Sequence, residues 1–329
     1  MQLGENDSPY LYEPFDVYQR KPSFKKEAKM KPWHGVLFFV ILMAVFYIAG
    51  TPLVLFGGMY GNAAAEILVF LGGSILIVCA MNQKLRDVFV LRKPNTPAVL
   101  GTLVMWYMAY QGITALFLVI GWLFPRQYLD LSNSMSDSMY GLSPIAELLV
   151  VALTPAICEE ALHRGLLQYS LRDLKNKWLI VFLMGIYFGI FHMSLVRFLP
   201  MMLLGMVLSF IRQKTDNMFY PCMFHFIHNA WSVLADCLSD FLYRFPVAAP
   251  SYETVGGAVL PSTVGVCLIE AAIVPFGLYI GSSLLDYGNS GGMRQLFHWK
   301  TKKRALILLT LLTIGLLTAG ILLTVYGLF

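Results

Sequence analysis

Residues 144–171 read PIAELLVVALTPAICEEALHRGLLQYSL, a helix-length apolar run with Glu159, Glu160 and Arg164 near its middle. About 20 apolar residues suffice to cross a bilayer, so this stretch is long enough to be a membrane segment. An acidic or basic side chain at the bilayer centre costs about 2.5–3.5 kcal/mol on insertion scales, so three of them in six residues need an offset. Residues four apart share a helix face, which lets Glu160 and Arg164 pair. Glu159 lies about 100° around the helix from Glu160, on the side of His163. One carboxylate is then neutralised by its arginine, and the other is left available.

The rest of the chain has the same character. Of 329 residues, 57% are hydrophobic and only 13% charged, about half the charge of an ordinary soluble domain. That rules out a soluble enzyme and predicts an all-α, polytopic transmembrane bundle in the lipid bilayer. Nine apolar segments qualify: 35–56, 63–81, 98–124, 144–171, 178–196, 198–211, 218–239, 256–285 and 305–329. The fifth carries His192, the seventh His225 and His228, the second Glu66 and the eighth Glu270. The segment 198–211 is the shortest.

Basic residues fall in clusters on alternate connections: Arg20 to Lys31, 84–93, 172–177, Arg212 with Lys214, and 294–304. The opposite loops hold Arg126, Arg197 and Arg244. By the positive-inside rule this places the N-terminus in the cytoplasm and the C-terminus outside. The net charge of +5 therefore reads as topology, with no nucleic-acid surface. If the cell is bacterial, the membrane is the plasma membrane. The polar N-terminus does not read as a cleavable signal peptide. The five cysteines show no CxxC spacing, which argues against a disulfide framework or a cysteine zinc site. The expected organisation is an N-terminal cytoplasmic or interfacial arm (1–33), scaffold helices (34–143), a polar core (144–240) and C-terminal helices (241–329).

Two further polar sets match the first in depth. His192 closes Phe188-Gly-Ile-Phe-His192, and His225 and Asn229 share a face in His225-Phe-Ile-His-Asn229. Counted from the nearest cytoplasmic basic residue at the helical rise, Glu159 lies roughly 20 Å deep, His192 and Asn229 roughly 22 Å, and His225 roughly 16 Å. Alone, each residue has an ordinary structural explanation. An intramembrane histidine such as His163 or His228 bonds between helices, Asn229 is interhelical glue, and Glu160–Arg164 is a structural pair. Independent structural groups have no reason to lie in one layer.

Together, Glu159-Glu160-x-x-x-Arg164, Phe188-x-x-x-His192 and His225-x-x-x-Asn229 resemble the motifs of the CPBP family of intramembrane proteases. That family includes the type II CAAX prenyl endopeptidases and the bacteriocin-processing or self-immunity proteins. The similarity covers residues 144–240. It implies an endopeptidase acting on a membrane-associated, lipidated or hydrophobic peptide at a water-accessible cavity. Carried over by position, Glu159 and His192 would activate the water, His225 and Asn229 would stabilise the oxyanion or orient the water, and Glu160 and Arg164 would hold the first helix's geometry.

The residue chemistry agrees with this. Amide hydrolysis needs a base for water and donors for the developing oxyanion, and desolvation makes a carboxylate a stronger base. No serine or cysteine is placed as a nucleophile, since Cys158 points to another face than Glu159. Glu159, His192 and His225 are also the candidate ligands if a divalent metal such as zinc takes part. The stronger zinc signature, His-Glu-x-x-His, is lacking. Two other readings use the same residues: a proton-coupled transporter, though no inverted repeat is visible, and a non-catalytic membrane partner or immunity protein.

Overall fold

The computed structural model describes residues 30–242, 254–255, 258–290 and 299–329. Most of the expected N-terminal arm, together with Arg244 and Arg294, lies outside them. The protein is an all-α polytopic bundle. Its helices are α1 (Pro32–Ala80), α2 (Thr96–Leu123), α3 (Pro125–Met139), α4 (Pro144–Ser170), α5 (Lys177–Phe191), α6 (Leu195–Thr215), α7 (Phe219–Leu242), α8 (Pro261–Ala271), α9 (Val274–Ser290) and α10 (Trp299–Tyr326). A two-residue antiparallel ladder, Thr254–Val255 with Ala258–Val259, precedes α8.

Among the described residues, five helices are long and apolar enough to cross a bilayer, or six with the bent pair α3–α4. The expected count of nine is not reproduced, for identifiable reasons. The segment expected to be shortest is the full 21-residue α6, whereas its predecessor α5 has only 15 residues because the chain turns at His192. Segments 35–56 and 63–81 both fall within the one helix α1, whereas α8 and α9 together make one span, as expected for 256–285. The 15-residue α3 was not anticipated, and it meets α4 at 113°.

The first span is not a straight rod. Gly58 has φ 53° and ψ −134°, a conformation open to glycine because it has no Cβ. The chain there doubles back on itself: Phe46 stacks on Phe70 at 4.5 Å, and a Cβ at Gly61 would sit 1.8 Å from the Leu53 carbonyl oxygen. The outgoing arm lies antiparallel to α4, with Gly35 against Ser170 and Phe39 against His163. The return arm brings Glu66 towards the site.

Polar caps set where α4, α5 and α6 begin. Ser143 accepts from the Ala146 amide at 3.3 Å, Asn176 from Leu179 at 3.2 Å and Ser194 from Arg197 at 3.4 Å, each satisfying an amide that the helix leaves open. Helices α5 and α6 pack backbone to backbone. A Cβ at Gly205 would lie 2.6 Å from the Phe188 Cβ, and one at Gly189 would lie 2.8 Å from the Phe198 carbonyl. Small residues permit such approach in membranes, where packing has to do what the hydrophobic effect does in water. By contrast, α10 is almost wholly exposed, as a lipid-facing helix should be.

Gly205→Val should therefore lower the thermal midpoint in detergent, by the equivalent of about 1–3 kcal/mol for overpacking. Gly315→Ala, with nothing within 4 Å of its added Cβ, should leave the midpoint in place. Equal midpoints for the two variants would contradict this packing.

Candidate active site

Helix α4 is widened in two places. Turns with the looser π spacing run over Leu148–Leu153 and Ala161–Leu167, and they flank the ordinary α-helical Thr154–Glu160 that carries both glutamates. Pro155 accounts for the first. Proline has no N–H for the carbonyl four residues back and its ring crowds that carbonyl. The carbonyl in question belongs to Val151, and it is Asn229 of α7 that reaches it, Nδ2 to O at 3.1 Å. Asn229 thus supplies across the interface the hydrogen bond that Pro155 removes. Widened turns of this kind recur at functional sites.

The two adjacent glutamates have different surroundings. Glu160 is fully buried. Its Oε1 accepts from Arg164 Nη1 at 2.9 Å and from His225 Nδ1 at 3.0 Å. Arg164, 0% exposed, also donates from Nη2 to the Gly205 carbonyl at 3.1 Å and lies 4.7 Å from the centre of the Phe188 ring. One turn on, Gln168 donates to the Ser209 carbonyl at 3.3 Å, so α4 and α6 run side by side in the same direction. The pair expected to hold one helix in shape therefore joins three: α4, α6 and α7.

Glu159 is 7% exposed, yet its Oε2 accepts no hydrogen bond. Its ionic neighbour within 4.0 Å is His225 Nε2, at 4.0 Å, which is beyond hydrogen-bond reach. His225 therefore stands between the two carboxylates. Its Nδ1–H is fixed by Glu160, and its Nε2 points towards Glu159.

Phe188 explains its own place in the Phe-x-x-x-His motif. Its carbonyl accepts from His192 Nδ1 at 2.8 Å. A carbonyl can only accept, so Nδ1 carries the hydrogen and the Nε2 of neutral His192 keeps its lone pair. The Phe188 ring meets His163 at 5.0 Å, His192 at 4.8 Å and His225 at 5.8 Å. His163 bonds within its own helix, Nδ1 to the Glu159 carbonyl at 2.8 Å, and is boxed by Phe39, Phe188 and Phe191. His228 belongs to an aromatic group with Tyr110 and Phe224. Glu270 is exposed and lies apart from the site, and Cys158 is in the apolar core.

Sequence reasoning passed over two residues that the fold brings here. Glu66, from the return arm of α1, is buried, accepts from Asn62 at 2.8 Å and is within electrostatic reach of Glu159 and Cys158. Its signal was the polar pair Asn62-x-x-x-Glu66 inside an apolar run. Arg197, counted only as a topology marker, is within electrostatic reach of Glu159 and His192.

The donor set gives a test for a metal. Among the described residues, no three His, Cys, Asp or Glu side chains are grouped so as to hold one. The Nδ1 bonds of His225 to Glu160 and of His192 to the Phe188 carbonyl leave both Nε2 atoms open and do not themselves exclude ligation, so the test rests on the spacing of the groups. Glu159, His192 and His225 as arranged do not form a ligand set, and no step below is routed through a metal.

The contrast between the glutamates has a measurable consequence. Removing one partner of a buried ion pair strands the other charge and costs about 3–5 kcal/mol, so Glu160→Gln should lower the thermal midpoint sharply. Glu159→Gln removes a buried carboxylate whose Oε2 has no hydrogen bond and whose ionic neighbour is as far as 4.0 Å, and should leave the midpoint unchanged or raise it. The opposite order would contradict the geometry.

Residues 141–231 match the family model described as Type II CAAX prenyl endopeptidase Rce1-like. Among curated proteins and among solved structures, none matches the chain. The matched stretch runs from the start of α4 past Asn229 and so contains Glu159, Glu160, Arg164, His192 and His225. Over residues 141–231 the chain is thus similar to the type II CAAX prenyl endopeptidases, which supports a CPBP family intramembrane protease.

Proposed function

We propose that this protein is an intramembrane endopeptidase that hydrolyses a peptide bond of a lipidated or hydrophobic membrane-associated peptide, with water activated by Glu159 and His192. The observation that carries the reading is the free, buried Oε2 of Glu159, 4.0 Å from His225 Nε2. One water molecule suits that separation, donating to Oε2 and accepting from an Nε2–H. With hydrogen bonds of about 2.8 Å to each, it would subtend close to a right angle and keep a lone pair for attack.

In this scheme Glu159 takes the water proton as the oxygen bonds to the scissile carbonyl carbon, and the Nε2 lone pair of His192 helps to orient that water. Negative charge then develops on the carbonyl oxygen. An imidazolium at His225, whose Nδ1–H rests on Glu160, offers its Nε2–H to that oxygen. Asn229 offers the N–H that Val151 leaves it. Preorganised donors of this sort are worth several kcal/mol in a water-poor site. The proton on Glu159 passes to the amide nitrogen, the C–N bond breaks, and an acid and an amine leave. Glu160 and Arg164 touch no reacting atom and act as positioning residues.

Two variants test the reading, with a prenylated CAAX peptide and a set of hydrophobic peptides as substrates. Glu159→Gln and His192→Ala should each lower cleavage by at least about 100-fold, the usual weight of a general base, in protein that stays folded and inserted. Wild-type rates in both would refute the mechanism. Treatment of wild type with a chelator should leave its rate in place, whereas loss restored by zinc would refute the metal-free scheme. A protein that cleaves nothing but shows Glu159-dependent proton uptake in proteoliposomes would be a carrier.

A further inference from the structure

A polar cavity lies where four helix ends meet: the start of α2, the end of α6, the start of α7 and the end of α9. Its volume is about 170 Å³, and it is lined by Arg92, Lys93, Asn95, Thr215, Asn217 and Tyr220, with Gly288 of α9 closing one side. The 28 residues of α2 rise about 42 Å, close to the thickness of a bilayer with its headgroup layers. The first residues of α2, and the cavity with them, therefore lie at headgroup depth.

The walls are built in advance. The segment before α2 is strapped to the turn between α6 and α7. Met218 donates its amide to the Val90 carbonyl at 2.7 Å. Asn217 holds the Arg92 backbone twice, its Oδ1 accepting from the amide at 3.2 Å and its Nδ2 donating to the carbonyl at 3.0 Å. A Cβ at Gly288 would lie 2.2 Å from Asn95 Oδ1, so the end of α9 is pressed against the same segment. The acceptors of the wall are used within it: Asn95 Oδ1 takes the Ala98 amide at 2.9 Å, and Asn217 Oδ1 also takes the Phe219 amide at 3.1 Å. The Thr215 hydroxyl donates to the Ile211 carbonyl at 2.8 Å. What remains are donors. Tyr220, 1% exposed, accepts from the Asn95 amide at 3.0 Å, and its own hydroxyl hydrogen has no acceptor among the described residues. No ion pair among those residues involves Lys93. Arg92 gives Nη2 to Asp216 at 2.6 Å and keeps its other N–H groups. That carboxylate also serves Arg212 at 2.8 Å, so positive charge is in excess.

We propose that this cavity binds a phosphate group carried by the headgroup of an anionic phospholipid. The inference is independent of the hydrolytic reading. A phosphate ester offers several acceptor oxygens and negative charge, which complements two cations and a buried phenolic O–H. At headgroup depth the lipid is the source at hand, and basic pockets between membrane helices take such headgroups.

The test is a titration of the full chain, in an uncharged detergent, with short-chain phosphatidic acid, read as the thermal midpoint. Wild type should show a saturable rise, as for any ligand that binds the folded state alone. Lys93→Gln and Tyr220→Phe should each raise the half-saturating concentration about 10-fold or more, the loss of one hydrogen bond to a charged group. Diacylglycerol with the same chains should give no rise, and inorganic phosphate should act only at far higher concentration. No saturation in wild type, an equal rise with diacylglycerol, or unchanged half-saturation in Lys93→Gln would overturn the proposal. Inorganic phosphate as potent as the lipid would overturn the lipid as its source. If Tyr220→Phe fails to fold, Lys93→Gln still decides, because that side chain is exposed.

Discussion

A guanidinium with no solvent exposure needs an anion, and Arg164 has Glu160. Much of the site follows from that requirement. Because Glu160 is committed to Arg164, the neighbouring Glu159 is left with an Oε2 that accepts no hydrogen bond. Because Glu160 also accepts from His225 Nδ1, the imidazole of a distant helix is held with its other nitrogen towards Glu159. Because Arg164 also reaches the Gly205 carbonyl, α6 is drawn alongside. A buried ion pair is weak evidence for net stability, since desolvation offsets most of its Coulomb energy. Here its effect is on arrangement, in that three helices share one charge-assisted junction.

The apolar parts make that junction possible. Phe188 lies under Arg164 and against three histidines, so a single ring packs against four of the polar side chains in the layer. The close approach of α5 and α6 at Gly185 and Gly205 brings Phe188 to that place. Pro155 and Asn229 form a second link: the backbone bond that one removes from α4, the other restores from α7. The widened turns on either side of Glu159 and Glu160 belong to the same distortion, which aims two consecutive side chains into different surroundings.

Much of this was legible in the sequence. The apolar runs gave the helices. The i,i+4 spacing of Glu160 and Arg164 required their pairing, and the common depth of Glu159, His192 and His225 anticipated that they share one region. What was not legible depends on contacts between elements. Nothing local marks Glu66 as a neighbour of Glu159, because that proximity arises from the reversal at Gly58, which lies within an unbroken apolar stretch. Arg197 looked like a loop residue because α5 was expected to run on to Val196, and the chain instead turns at His192 and Met193. For Asn229 the sequence allowed glue or catalysis, and the bond to Val151 shows that the first of these is at least part of its work.

Two consecutive glutamates thus have separate surroundings, one bound into the scaffold and one, with Oε2 free of hydrogen bonds, proposed here as the base. The most direct measurement is a single turnover with enzyme in excess, in water enriched in oxygen-18, followed by mass analysis of the new C-terminal carboxylate. If Glu159 activates water, the first turnover places one solvent oxygen in that carboxylate and none in the enzyme. Label found in the Glu159 side chain, with unlabelled oxygen in the first product, would mean that the carboxylate itself attacks the peptide, and would contradict the role assigned to it here.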